Sequence, residues 1–217
     1  MKNIALISLL ATTLILTAGA DTHKGWHELS NLESWVDGSG KPVSAGSWVV
    51  VEGILQLTGK GGGDLYSAKE YGDFELIFDW KIAPKGNSGL KYRVRQYGGR
   101  MLGCEYQIYD DGKPDRIPGK GSTGSLYALF APDPERELKP LDEFNASRII
   151  VHGSRIEHWL NGRKIVSVTV GSPAWDEHVS ASKFSQVPGF SRNRFGRIML
   201  TDHGSEAWYR NFHITRP

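Results

Sequence analysis

The chain has 217 residues, of which 26 are glycine and 10 proline; 23% are charged, 39% apolar and 11% aromatic. This content of apolar and aromatic residues excludes a disordered chain, and no heptad or collagen repeat runs through it. The formal net charge of +2 comes without a basic stripe, so nucleic acid is not an expected partner. The length suits one domain with a sizeable core.

The N-terminus has the pattern of a secretory signal peptide. Lys2 precedes an almost wholly apolar run from Ile4 to Leu16, and a small-residue Ala-Gly-Ala sequence occupies positions 18–20. We expect cleavage after Ala20, which leaves residues 21–217 as one domain in the periplasm or the medium. The apolar run is short for a membrane span, and the residue directly after the cleavage site is Asp21 rather than a cysteine, so no membrane anchor is predicted.

The remaining chain is predicted to be all-β, because short apolar runs alternate with glycine turns every 8–12 residues or so. Asn161-Gly162 is the strongest hairpin signal, since both residues tolerate positive φ. A helix is predicted only for Ala174 to Lys183, and loops for Gly98–Gly103 and Pro132–Glu143. The predicted strands are Trp48–Val51, Ile54–Thr58, Asp64–Ser67, Phe74–Ile82, Gly89–Arg95, Cys104–Tyr109, Gly124–Phe130, Ser147–His152, Arg155–Leu160, Arg163–Val170, Gly196–Thr201 and Glu206–Thr215.

Adjacent residues of a strand face opposite sides of a sheet, which sorts the central strands into apolar and polar faces. One predicted apolar face holds Leu90, Tyr92 and Val94, and the next holds Cys104, Tyr106 and Ile108. The opposite faces carry Lys91, Arg93 and Arg95, and then Glu105, Gln107 and Tyr109. Such side chains form directional hydrogen bonds and stack on sugar rings, so they indicate a binding site rather than a plain solvated surface.

Further polar residues stand at strand ends or in the meander. Asn87 and the pair Asp202-His203 are placed to reach the rim of a cleft, although turn chemistry would also explain Asn87. Glu157 and His158 have opposite parity, so at most one of them can face a cleft.

Metal and cofactor signatures are weak. No histidine or cysteine pair has zinc spacing, and the acidic turn at 110–115 lacks the spacing and closing glutamate of a calcium loop. No cofactor or metal site is therefore predicted, and a divalent ion stays an open alternative.

Six short motifs occur in the order found in one known family. They are Gly86 to Arg93 (GNSGLKYR), Cys104 to Ile108 (CEYQI), Thr123 to Tyr127 (TGSLY), Glu157 to Gly162 (EHWLNG), Asp202 to Gly204 (DHG) and Tyr209 to Asn211 (YRN). On these motifs the chain resembles the 3-keto-disaccharide hydrolase domain family. The resemblance implies a concanavalin-A-like jelly roll of two antiparallel sheets. It also implies an exported enzyme that cleaves glycosides already oxidised at C3, made by an upstream oxidoreductase.

A 3-keto sugar invites base removal of the C2 proton, elimination of the C1 group and rehydration. We expect His203 or Glu105 to be the base, with Arg93 and Lys91 stabilising the enolate or binding hydroxyls. The other candidate substrate-binding residues are Gln107, Asn87, Tyr127, Asp202, Glu157 and His158. One departure from the family is Thr201, where many members have glutamine, so a ligand contact there is expected to be lost or water-mediated.

Two alternatives remain open. A conventional glycoside hydrolase needs two carboxylates, and this strand offers Glu105 followed by the amide Gln107, so a partner would have to come from Glu157 or Asp202. A non-catalytic carbohydrate-binding module is the other, since the fold alone does not decide function.

Overall fold

The computed structural model describes residues 25–44, 46–112 and 117–216; the predicted signal peptide at 1–20 lies outside them. One α-helix, α1, spans Pro173–Ser180 within these ranges. The strands, numbered β1 to β13 in chain order, are His27–Glu28, Trp35–Val36, Trp48–Val51, Ile54–Thr58, Leu65–Tyr71, Phe74–Ile82, Asn87–Tyr97, Arg100–Tyr109, Asn145–His152, Arg155–Leu160, Arg163–Thr169, Gly196–Leu200 and Glu206–Thr215.

The described strands form two packed antiparallel sheets, which confirms the predicted concanavalin-A-like jelly-roll sandwich. The larger sheet has the order β11-β10-β9-β6-β13-β4-β3, and β1 also pairs with β13. The smaller sheet has the order β2-β5-β12-β7-β8. The inward side chains of both sheets make one core, which includes the large rings of Trp35, Trp48, Trp80 and Tyr209.

Two of the loop and strand predictions were wrong, and turn geometry explains both. β8 begins at Arg100 because Gly98 and Gly99, both with positive φ, close a tight β7–β8 hairpin. Residues 124–130 are not a strand, because local turn hydrogen bonds compete with pairing: the N–H of Leu129 donates to the carbonyl of Leu126 over 2.9 Å. This segment covers the outer edge of β8, where the Tyr127 N–H donates to the Glu105 carbonyl.

The predicted helix exists but is shorter than expected. Ser172 caps α1 by accepting a hydrogen bond from the N–H of Trp175 over 3.2 Å, and Pro173 takes the first turn, where it suits a helix. The helix ends at Ser180, so Lys183 lies beyond it in a connecting segment. None of the helices in the described residues is long and apolar enough to span a membrane.

A β-bulge interrupts β7 and corrects one predicted face. The register with β8 shifts between Tyr92 and Arg95, and Arg93 has a φ of 49°. The extra residue reverses the alternation, so Val94 leaves the main core and packs with Tyr66 and Met199 on the outer face of the smaller sheet.

His158 lies in the middle of the core, not at a cleft. Its Nδ1–H donates to the carbonyl of Gly124 over 3.0 Å, and its Nε2 accepts from the hydroxyl of Tyr92 over 2.8 Å. Both ring nitrogens are satisfied in the neutral form. Burial lowers the pKa of His158 from 6.5 to about 4.

This buried histidine predicts an acid-sensitive fold. The folded pKa lies below the unfolded one, so the contribution of His158 is complete above pH 6.5 and is lost as the pH falls towards 4. At about 1.4 kcal/mol per pKa unit, the loss is on the order of 3 kcal/mol. Urea unfolding of His158→Gln between pH 4 and 7 is expected to show a flatter pH dependence than the wild type. The exposed His27→Gln variant should keep the wild-type slope; a wild-type slope in His158→Gln would contradict the assignment.

Candidate functional site

A buried carboxylate on β8 is the centre of the candidate site. Glu105 is only 7% exposed, on the outer face of the smaller sheet, as its strand alternation predicted. Among the described residues, none donates a hydrogen bond to this carboxylate and no ion pair engages it. Burial raises the pKa of Glu105, while the lysine charges of Lys91 and Lys183 act in the opposite direction.

The carboxylate fits because its neighbour on β7 has no side chain. A Cβ on Gly89 would lie closer than 3.0 Å to Oε1 of Glu105. Thr201 closes the far side of Gly89 by donating from its N–H and its hydroxyl to the Gly89 carbonyl, over 2.9 and 3.3 Å. Thr201 is itself buried, and its hydroxyl is used in the hydrogen bond to the Gly89 carbonyl. This backbone contact accounts for the short side chain at this position.

A continuous row of side chains crosses the smaller sheet at the level of Glu105. Strand pairing joins Glu105 to Lys91, Lys91 to Met199, and Met199 to Tyr66. Their chain neighbours Tyr106, Leu90, Leu200 and Leu65 all point into the core, so this row points outward. The row places the half-buried Lys91 next to the Glu105 carboxylate, and the largely apolar side chains of Met199 and Tyr66 lie beyond it.

A second polar group lies two residues further along β8, towards the C-terminal end of the strand. The side-chain amide of Gln107 donates to Oδ1 of Asn87 over 2.8 Å, and Gln107 is buried. The N–H of Asn87 donates to the hydroxyl of Ser205 over 3.1 Å, which attaches the β12–β13 loop to this rim. The structure therefore brings Glu105, Lys91, Gln107 and Asn87 to one face. His203 is exposed in the attached loop, and no described contact joins it to Glu105.

Asp202 is occupied by the backbone. Its Oδ2 accepts from the N–H groups of Gly62 and Gly63 over 2.7 and 3.1 Å, and its Oδ1 accepts from Gly204. The N–H of Asp202 in turn donates to Oδ1 of Asp64 over 2.9 Å. Asp202 thus fixes the glycine-rich loop and the start of β5. Asp64, which sequence analysis did not select, is the carboxylate whose charge raises the pKa of Glu105.

Lys183 is a second residue that sequence analysis missed. Its Nζ lies 4.1 Å from the centroid of the Tyr127 ring. Tyr127 belongs to the segment that covers the edge of β8 beside Glu105. No local pattern signals this contact, because more than 50 residues separate the two side chains in sequence.

Arg93 was predicted to be catalytic, but the bulge directs it away from this group. Its guanidinium donates to the carbonyls of Gly72 and Gly153 over 3.0 and 2.9 Å and to Oδ1 of Asp73 over 2.9 Å. Gly153 lies in the turn that joins β9 to β10 of the larger sheet, so Arg93 on β7 ties the two sheets together. The structure does not bring it together with Glu105.

Glu157 and His158 are also separated from the site. His158 points into the core, and Glu157 points to the outer face of the larger sheet. The Glu157 carboxylate accepts from Nε1 of Trp159 over 3.0 Å and is paired with Lys164 and Arg155. Both residues therefore act in the architecture of β10, and their assignment to substrate binding is not supported by their placement.

A cleft of about 570 Å³ lies elsewhere, between the end of β6, the end of β8 and residues 136–143. None of the predicted site residues lines it. Its half-buried acid Asp111 pairs with Arg136, and Asp110 accepts from the N–H of Lys85 over 2.6 Å. These two acids are engaged, and the other acids of the cleft, Glu137 and Glu143, are exposed, so the buried Glu105 is the better candidate for chemistry. In the described part of the chain, no three His, Cys, Asp or Glu side chains converge as a metal site.

Comparison with known proteins agrees with this fold. A 3-keto-disaccharide hydrolase of Bacteroides thetaiotaomicron is 28% identical over 211 residues, covering 82% of this chain and 72% of that protein. A crystal structure from Parabacteroides distasonis ATCC 8503, provisionally described as a glycosyl hydrolase, has a TM-score of 0.77 at 28% identity, with 91% of this chain and 97% of that chain covered. A second such structure from the same organism has a TM-score of 0.65 at 25% identity, covering 88% and 99%.

The family profile described as the 3-keto-alpha-glucoside-1,2-lyase-like domain matches residues 22–215, which is nearly the whole chain. The match includes the strands that carry Glu105, Lys91 and Gln107. The chain therefore belongs to the 3-keto-alpha-glucoside-1,2-lyase-like domain family.

Proposed function

We propose that the protein is an exported enzyme that cleaves the glycosidic bond of 3-keto-glycosides by elimination and rehydration. The observation that carries the proposal is Glu105, a buried carboxylate that no described residue engages. Family membership and the name of the Bacteroides relative support the substrate class. A carboxylate with a raised pKa is a stronger base than an exposed one, which suits removal of a proton from carbon.

The first step is loss of the C2 proton to Glu105. The electron pair of the C–H bond moves into a C2–C3 double bond, and the ketone oxygen becomes an enolate. Lys91 lies opposite Glu105 in the strand register and supplies positive charge for that oxygen. A positioned base contributes about 10²–10⁴-fold to such a step.

The second step is departure of the C1 group. The enolate reforms the C3 ketone, the electron pair shifts into a C1–C2 double bond, and the C1–O bond breaks as the leaving oxygen takes a proton. His203, in the exposed loop attached to Asn87, is the proposed proton donor. Water then adds at C1 and a proton returns to C2, so the net reaction is hydrolysis. Gln107 and Asn87 orient the sugar hydroxyls. Tyr127, whose N–H donates to the Glu105 carbonyl, lies at the edge of the site.

A conventional two-carboxylate hydrolase is the second candidate, and Asp64 is the observation that favours it. Asp64 is half-buried, and its charge acts on Glu105. One of its oxygens already accepts from the N–H of Asp202, which leaves the other available. Such an enzyme would cleave the unoxidised glycoside.

Substitution of the proposed base tests the function. We expect Glu105→Gln to lower turnover of a 3-keto-glucoside by about 10²-fold or more while sugar binding is retained, because the amide cannot accept the C2 proton. Product formation from the 3-keto-glucoside and from its unoxidised parent is measured by chromatography, with and without chelator. Glu143→Gln, in the separate cleft at residues 136–143, is the matched control and should keep wild-type turnover.

The possible outcomes of this assay separate the candidates. Cleavage of the keto sugar alone supports the elimination route. Cleavage of the parent glycoside contradicts it and favours the pair of Asp64 and Glu105. Binding without cleavage of either sugar indicates a carbohydrate-binding module. The chelator arm reports whether a divalent ion contributes.

The space over Gly89 gives a second prediction. In Gly89→Ala, the new Cβ displaces the flexible Glu105 carboxylate, so kcat on the accepted sugar is expected to fall by about 10²-fold with the fold intact. Gly121→Ala is the control, since its Cβ would meet nothing within 4 Å. Circular dichroism checks folding. A folded Gly89→Ala enzyme with unchanged kcat would show that the position of Glu105 does not matter.

A further inference from the structure

Lys183 brings a positive charge to the proposed site from a distant part of the chain. It follows α1, in a segment whose other large residues anchor it. Phe184 and Phe190 stack with ring centroids 4.0 Å apart and planes within 11°, and both are buried. Phe190 also stacks on Trp175 of the helix at 6.5 Å. The exposed Lys183 is therefore carried by a segment that is fixed in the core.

The direction of the Lys183 side chain is set by aromatic rings. Its Nζ lies 4.1 Å from the Tyr127 ring centroid and 5.3 Å from that of Phe184. An ammonium over a ring face at this distance is held by the negative face of the π system. The backbone N–H of Tyr127 donates to the carbonyl of Glu105 over 3.0 Å. The residue whose ring holds Lys183 is therefore hydrogen-bonded directly to the backbone of Glu105.

Glu105 thus has cations on both strand sides. Lys91 flanks it from β7, and Lys183 lies over Tyr127 of the segment that covers the outer edge of β8. Asp64 opposes the two lysines, because its negative charge repels that of Glu105. The phenol of Tyr209 lies on the core side of the sheet. A buried carboxylate needs such compensation, because desolvation disfavours its charged form.

We propose that Lys183 is the second cation of this site, held by the Tyr127 ring beside Glu105 so that negative charge on the buried carboxylate is balanced from both sides. Lys183 is a positioning residue that acts through Glu105. In the reaction, the Lys183 ammonium lies beside the carboxylate that takes the C2 proton. This role in the reaction rests on the function proposed above. Tyr127 then has a role besides contact with sugar: it fixes the ammonium.

A titration without substrate tests the pairing. The protein is labelled with ¹³C at the glutamate side-chain carboxyl, and the Glu105 signal, assigned by its loss in Glu105→Gln, is followed against pH. In Lys183→Ala the midpoint is expected to rise, since a favourable positive charge is removed; Lys183→Arg should stay near the wild type. Lys69→Ala, which removes an exposed lysine on β5, is the control and should leave the midpoint unchanged.

The ring contact gives an independent variant. Tyr127→Leu removes the aromatic face and should move the Glu105 midpoint in the same direction as Lys183→Ala. The double variant should shift no further than the larger single change, because both act through one ammonium. An unchanged Glu105 midpoint in a folded Lys183→Ala protein overturns the proposal.

Activity then separates this proposal from the proposed function. If Glu105 is the base, Lys183→Ala moves the acidic limb of the kcat/KM profile upward with the Glu105 midpoint. Below the Glu105 midpoint kcat/KM should fall by about 10-fold for each unit by which the Glu105 pKa rises, because less of the carboxylate is ionised, whereas well above the midpoint it should stay near the wild-type value. A shifted midpoint with an unmoved limb would retain the Lys183 contact and reject Glu105 as the base.

Discussion

The desolvation of one carboxylate constrains this face of the sandwich. Glu105 is buried without a hydrogen-bond donor from the described residues, an arrangement that costs folding free energy unless charge of opposite sign is near. The absent side chain of Gly89 gives the carboxylate its space. Lys91 and Lys183 supply positive charge from two sides. The site therefore keeps a buried basic group that no described residue engages.

Three other carboxylates, one buried and two half-buried, show the contrast. Asp111 pairs with Arg136, and Asp202 accepts three backbone N–H groups. Glu157 is surrounded by donors on the outer face of the larger sheet. Each of these carboxylates stabilises a loop or a strand by satisfying neighbouring donors. In the described structure, Glu105 satisfies no such donors. Reactive roles are expected at titratable groups whose pKa is perturbed by their surroundings.

Strand alternation predicted much of the fold and the centre of the site. The period of two placed Glu105 and Gln107 on one face, and Asn161-Gly162 closed its hairpin with positive φ at both residues. The Arg93 bulge could not be predicted, because it depends on donors reaching the distant carbonyls of Gly72 and Gly153. The approach of Lys183 depends on long-range packing in the same way, and no local pattern encodes it.

The most direct test of the account is exchange of the C2 proton. A 3-keto-glucoside is incubated with the enzyme in D₂O, and deuterium at C2 of recovered substrate and product is measured by NMR. Proton removal by Glu105 predicts deuterium at C2 with the wild-type enzyme and only the uncatalysed background with Glu105→Gln. Cleavage that leaves the original hydrogen at C2 of the product would contradict proton removal by Glu105 as the basis of catalysis.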